Sequence, residues 1–172
     1  MAVDPTPISG GNIGFLSVLQ EPGGYVGGYL VTNAWGRPLE FRLSSPVQPN
    51  RLQQILYGET LPAYVSGELI GKTLIEKTAT AVDWVVTDNP LALDLRLRLS
   101  VPVALWHTNR VDTPGLFVRP NLQCHTRYPD DVAVIRGSVE KLGALDLGEP
   151  FGRIREAMIE ARKLGVSSRA AA

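Results

Sequence analysis

Residues 13–44, IGFLSVLQEPGGYVGGYLVTNAWGRPLEFRLS, decide the fold. Two runs rich in aliphatic, β-branched and aromatic residues, 13–20 and 25–33, are separated by Glu21-Pro22-Gly23-Gly24, a composition that predicts a hairpin turn. After a second break at Ala34-Trp35-Gly36-Arg37-Pro38, Leu39, Phe41 and Leu43 alternate with Glu40, Arg42 and Ser44, the period of a half-buried strand. Three antiparallel strands in a meander are therefore expected. Gly27-Gly28 falls inside the second strand, where it sacrifices packing. The pair is read as a β-bulge, the other option being close approach of a backbone or ligand.

Beyond Pro46 and Pro49 the period becomes helical. Asn50 is placed to cap a helix carrying Leu52, Ile55 and Leu56, which Gly58 interrupts. A second helix is predicted from about Thr60 to Lys77, with Pro62 in its first turn and Val65, Leu69, Leu74 and Ile75 on its apolar side. Gly67 and Gly71, one turn apart, are read as a place where that helix packs closely. Residues 82–87 (VDWVVT) and 101–106 (VPVALW) are short apolar runs suited to buried parallel strands. Between them, Leu91, Leu93, Leu95, Leu97 and Leu99 alternate like a strand, yet Asn89-Pro90 is helix-starting chemistry and no β-branched residue intervenes. A short helix is expected. The stretch 107–129 reads as loop, with 115–119 (GLFVR) as a final edge strand. Two helices close the chain: one carries Val132, Ile135, Val139 and Leu142 after Asp130 and Asp131, and one opens at Gly148-Glu149-Pro150 with Phe151, Ile154, Met158, Ile159 and Ala161 inward. The whole is a mixed α/β domain over 13–165, with a flexible lead-in at 1–12 and a disordered tail at 166–172. Right-handed crossovers set the later strands parallel in one mixed sheet.

Composition limits the function. Lysine plus arginine equal aspartate plus glutamate at 17 each, so no net field draws in nucleic acid, an anionic membrane or a polyanionic substrate. Cys124 is the only cysteine, which rules out an intrachain disulfide. The first residues hold no basic and apolar leader pattern, and nowhere do about 18 apolar residues run together. A cytoplasmic protein that does not span a membrane is expected.

The order of three antiparallel strands, helix, parallel strand ending in an acid, helix and strand resembles the ribonuclease H-like arrangement over residues 13–106. Enzymes of that superfamily hold two divalent ions on carboxylates from the first strand, the first long helix and the end of the fourth strand. The resemblance places Glu68 on the helix and Asp88 at the strand end. Residues 13–20 contain no acid, and Glu21 lies in the following turn, so the chain is similar to a member without the usual metal site. It also resembles small uncharacterised bacterial proteins with a GGYLVTN strand, as at 27–33, and a helix like that at 61–77. That likeness implies no activity.

The remaining chemistry reads as ordinary packing. Gly67-Glu68-Leu69-Ile70-Gly71-Lys72-Thr73 has three residues between its glycines and lies mid-helix, so it is no phosphate loop. His107, Cys124 and His125, with Asp112, match no zinc spacing, and the neighbours Cys124 and His125 point to opposite sides of an extended chain. Trp35, Tyr25, Tyr29 and Phe41 resemble a base-stacking platform but have few basic neighbours, and are read as core and turn residues. Two functional readings follow. In the first, the domain is non-enzymatic, needs no cofactor, and binds a protein partner or a second copy of itself through an apolar patch on the C-terminal helices or an open sheet edge. In the second it is a divergent nuclease or nucleic-acid binder using Glu68, Asp88 and Glu21 as catalytic carboxylates with magnesium or manganese.

Overall fold

The computed structural model describes residues 11–142 and 145–165; the expected lead-in up to Gly10 and the tail at 166–172 lie outside them. Its centre is a seven-stranded mixed sheet in the order β3-β2-β1-β4-β5-β7-β6. The strands β1 (Ile13–Glu21), β2 (Gly24–Thr32) and β3 (Pro38–Leu43) form the expected meander. β4 (Trp84–Thr87) lies parallel to β1, and β5 (Val103–Trp106) parallel to β4. A hairpin of β6 (Phe117–Arg119) and β7 (Leu122–Cys124) closes the far edge, with β7 antiparallel to β5. The edge strand expected at 115–119 is β6. Its partner β7 falls in a stretch expected to be loop.

Strand alternation sends side chains to two cores. One side carries Ile13, Phe15, Leu30, Trp84, Val86 and Ala104 under the helices α4 (Asp131–Glu140) and α5 (Glu149–Lys163). The other carries Leu16, Val18, Tyr29, Val31, Val85 and Val103 under a long helix. That helix starts as α2 (Leu61–Ala63), runs through a π-helical segment Tyr64–Lys72, and ends as α3 (Thr73–Lys77). Its span matches the expectation, its π winding does not. A Cβ on Gly71 would meet Leu16 Cδ2 at 2.9 Å and Leu95 Cδ1 at 2.8 Å, so this glycine does permit close packing.

Gly27 and Gly28 form no bulge. β2 pairs with β1 without a break through both residues, and the register shift falls later, between Val31 and Thr32. A Cβ on Gly27 would sit 2.2 Å from Ile70 Cγ2 of the π segment, and one on Gly28 would sit 2.6 Å from Ile154 Cγ2 of α5. The two glycines let helices approach both faces of the sheet at one point.

Residues 90–97 form a 3-10 helix, Pro90–Leu97, capped by Asn89, whose side-chain oxygen accepts from the Leu91 N–H at 3.0 Å. The leucine alternation carries no strand because three residues complete a 3-10 turn: Ala92 and Leu95, three apart, are the buried pair. Ile159, expected inward on α5, is half exposed. Tyr25 and Tyr29 are core residues, Phe41 lies partly exposed on β3 and Trp35 stands out from a turn, so these rings make no common platform. Glu40 ties the edge strand to the end of the long helix. Its carboxylate accepts from the Ala79 and Thr80 N–H groups, the Thr80 hydroxyl and Arg42 Nε, and these bonds hold its pKa below the usual value against the opposing effect of burial.

Helix α1 (Arg51–Tyr57) buries none of its residues. Exposed apolar side chains stand on α1, at Leu52, Ile55 and Leu56, and also where they were expected, at Leu39 and Phe41 on the edge strand β3 and at Val134 and Ile159 on the C-terminal helices. No helix among the described residues is long and apolar enough to cross a membrane.

Candidate functional site

Parallel strands place their carboxyl ends together, and ligands of open α/β sheets bind in the crevice outside those ends. Here β4 and β5 end around Asp88, which follows Thr87 at the tip of β4, while β1 runs on past this point to Glu21. Leu16 pairs with Thr87, which sets Ser17 beside Asp88. The buried Ser17 hydroxyl donates to Asp88 Oδ2 at 3.2 Å, and the guanidinium of Arg155, reaching from α5, donates to the same oxygen. Burial pushes the Asp88 pKa up, and the Ser17 hydrogen bond and the Arg155 charge only partly oppose it. Asn89 braces the turn by donating from Nδ2 to the Val18 carbonyl at 3.3 Å.

A cleft of about 290 Å³ opens beside this carboxylate, lined by Asp88, Trp106, Thr108, Asp146, Gly148, Phe151 and Arg155. Gly148 is required by closeness: its Cβ would come 2.9 Å from Trp106 Nε1. Asp146 accepts from the Gly148 N–H at 2.9 Å, so the start of α5 already has its anion.

The other two sequence-derived carboxylates stand elsewhere. Glu21, the last residue of β1, pairs with Arg162. It lies four residues beyond Ser17, about 13 Å along the strand. Glu68, on the π segment, pairs with Arg98 at 3.0 Å and lines a separate groove of about 290 Å³ with Tyr57, Tyr64, Leu91 and Asp94. Glu21, Glu68 and Asp88 are thus not brought to one point, and each has its own arginine. Among the described residues no group of three or more His, Cys, Asp and Glu side chains is arranged to hold a metal ion.

His107, Cys124 and His125 are also kept apart in role. His107 Nε2 meets Gln123 Oε1 at 2.9 Å. His125 Nδ1 accepts from the Arg127 N–H at 3.1 Å, so its Nε2 carries the proton and donates to Asp94 Oδ1 at 3.0 Å. Cys124 is buried in the core, and burial, helped by the Asp131 charge, pushes its thiol up to about 11, far from the range of a reactive thiolate.

Sequence reasoning missed the most organised polar cluster. Arg96 of the 3-10 helix grips Asp131, the first residue of α4, through Nε at 2.6 Å and Nη2 at 3.2 Å. Its Nη1 donates to the Leu99 carbonyl, and the guanidinium stacks 3.8 Å over the Tyr128 ring. Both side chains are largely buried. Asp131 was legible as a helix-start acid, but nothing in its spacing marked Arg96 as its partner. Arg155 and Arg162, seven residues apart on α5, were not singled out by sequence, because no local pattern shows that they face Asp88 and Glu21.

No protein-family model and no curated protein matches this chain.

Proposed function

We propose that this chain is a ribonuclease H-like domain that works by binding another protein chain and does not cut nucleic acid. The strand order β3-β2-β1-β4-β5, with β4 and β5 parallel to β1, supports the fold reading. The functional reading is carried by one observation: at the two places where that fold would present metal-binding carboxylates and an acid is present, Glu68 and Asp88 each hold an arginine, and at the third β1 offers Ser17 in place of an acid beside Asp88, with Glu21 farther along the strand paired to Arg162. Arginine supplies a fixed positive charge that never gives up its proton. It cannot generate the metal-bound hydroxide or clamp both the attacking and leaving oxygens as paired cations do. Ion pairs in these positions thus conserve the electrostatics of the site while removing its chemistry. The balanced net charge, with no basic excess for a phosphate backbone, favours a protein partner over a nucleic acid.

The test is incubation of the purified protein with magnesium or manganese and single-stranded, duplex and hybrid oligonucleotides, beside an Asp88→Asn variant. No cleavage above the level of the variant is expected. Metal-dependent cleavage that Asp88→Asn abolishes would overturn the proposal.

A further inference from the structure

We infer that α1 is the surface through which two copies of this chain pair, with the two α1 helices antiparallel about a two-fold axis. The inference rests on the binding-domain reading above and names its partner. α1 contributes nothing to either core, yet it is held in shape. The Asn50 side chain accepts from the Gln53 N–H at 2.8 Å, Gln53 Oε1 accepts from the Asn50 N–H at 3.0 Å, and Gln54 Nε2 donates to the Pro49 carbonyl at 3.1 Å. A capping box of this kind spends local sequence on fixing a helix that the fold itself does not need. What it fixes is an apolar stripe. Leu52, Ile55 and Leu56, at i, i+3 and i+4, are 63%, 61% and 72% exposed. Preorganised apolar side chains on a short helix lose little entropy when covered.

The charges at the two ends select the occupant. Arg51 opens α1 and Glu59 stands two residues past its last, both exposed and neither ion-paired among the described residues. Arg51 is at the unfavourable end of α1, whose amino end prefers an acid, whereas Glu59, past the break at Gly58, stands in the first turn of the 3-10 segment Gly58–Thr60. An antiparallel neighbour sets Arg51 beside the carboxyl end of the other α1, which suits a base, and opposite Glu59 of the other copy. The pattern of cation, apolar stripe, anion is complementary to its own reverse. It therefore fits a second copy across a two-fold axis, the commonest arrangement of soluble homo-oligomers. The three side chains cover about 400 Å² per copy, roughly half of the ~800 Å² per partner in a standard stable interface. The pairing is accordingly reversible and concentration-dependent.

Sedimentation of the full chain from about 10 μM to about 1 mM, near 50 mM salt where surface charges are least screened, reads it directly. A weight-average mass climbing from the monomer towards twice that value is expected. Leu56→Glu should weaken association at least tenfold. Arg51→Glu and Glu59→Arg should each weaken it several-fold, and the double variant should recover most of the loss. Arg51→Glu suits the isolated α1 better than the native residue does, so unfolding of α1 does not account for weakening by that change. A monomer throughout the range, or a dimer indifferent to Leu56→Glu or to the charge exchange, overturns the inference and leaves α1 to an unrelated protein. Metal-dependent cleavage overturns the binding-domain reading on separate grounds.

Discussion

The packing of the long helix on β2 at Gly27 gives a sharp test of the architecture. Replacing Gly27 by alanine puts a methyl carbon 2.2 Å from Ile70 Cγ2 and 3.2 Å from Leu74 Cδ1, where carbon atoms rest at about 3.5–4.0 Å. The gap must open by roughly 1.5 Å, and neither side yields easily. β2 is hydrogen-bonded on both edges, to β1 and β3, and Ile70 is β-branched and fully buried. Overpacking of this kind costs about 1–3 kcal/mol, of which the removal of a strand glycine returns about 0.5–1 kcal/mol. A net loss of about 1–2 kcal/mol is expected for Gly27→Ala. Ile70→Ala alone leaves a cavity and should cost about 2–5 kcal/mol. In the double variant the new methyl enters the space vacated by Cγ2, so the overpacking disappears and part of the cavity is filled. The double variant should then be more stable than the sum of the singles by at least about 1 kcal/mol. Urea unfolding followed by circular dichroism, with midpoint and slope reported for all four proteins, measures the cycle. Additivity within about 0.5 kcal/mol would refute the reasoning, because it would mean that the π segment does not rest on β2 at this glycine.

Three further expectations follow from the polar groups. Asp131→Asn breaks a buried bidentate pair and should cost about 3–5 kcal/mol, whereas Arg96→Met with Asp131→Leu should recover much of it, both read from thermal unfolding. Asp88 has a raised pKa in the folded chain, so the folded state binds more protons than the unfolded one above the ordinary value near 3.8, and stability falls as pH rises through that window. Asp88→Asn should flatten this part of the stability profile and raise the melting temperature at neutral pH; a variant less stable than the parent at every pH would contradict it. Cys124, buried and with its thiol pushed up to about 11, should react with a thiol reagent at pH 8 only as fast as the protein opens, and at full speed in denaturant.

How far the fold could be read from residues alone depended on whether the signal was local. β1 to β3 are legible because alternation and turn chemistry are both printed in 13–44, and the cap at Asn50 is legible because Gln53 follows three residues later. β7 is not, since Leu122-Gln123-Cys124 is too short for a period and owes its strand form to β5 and β6. The 3-10 winding of Pro90–Leu97 is tertiary too: it places Ala92 and Leu95 against the long helix while freeing Arg96 for Asp131. Of the candidate site, Asp88 was legible as an acid ending an apolar strand. Its partners were not, because Ser17 and Arg155 meet it only through the β1 register and the path of α5 across the sheet. Gly27-Gly28 was legible as a special position. Which kind depended on Ile70 and Ile154, 43 and 126 residues by numbering from the glycine each one meets, and no local pattern reports such distances.

The π-helical winding of Tyr64–Lys72 bears on the ancestry of the chain. A π turn closes its hydrogen bonds one residue later than an α turn and so packs more residues into the same axial length. Residues can be gained or lost inside such a segment with the helix keeping both its anchor points, whereas a one-residue change in a regular α-helix rotates everything downstream by about 100°. Here the downstream part holds Leu74 against the sheet and leads to the Thr80 contact with Glu40. Length variation among descendants of a common ancestor is therefore expected to collect between residues 64 and 72, the one stretch of this helix where an insertion or deletion leaves the sheet beneath it in register.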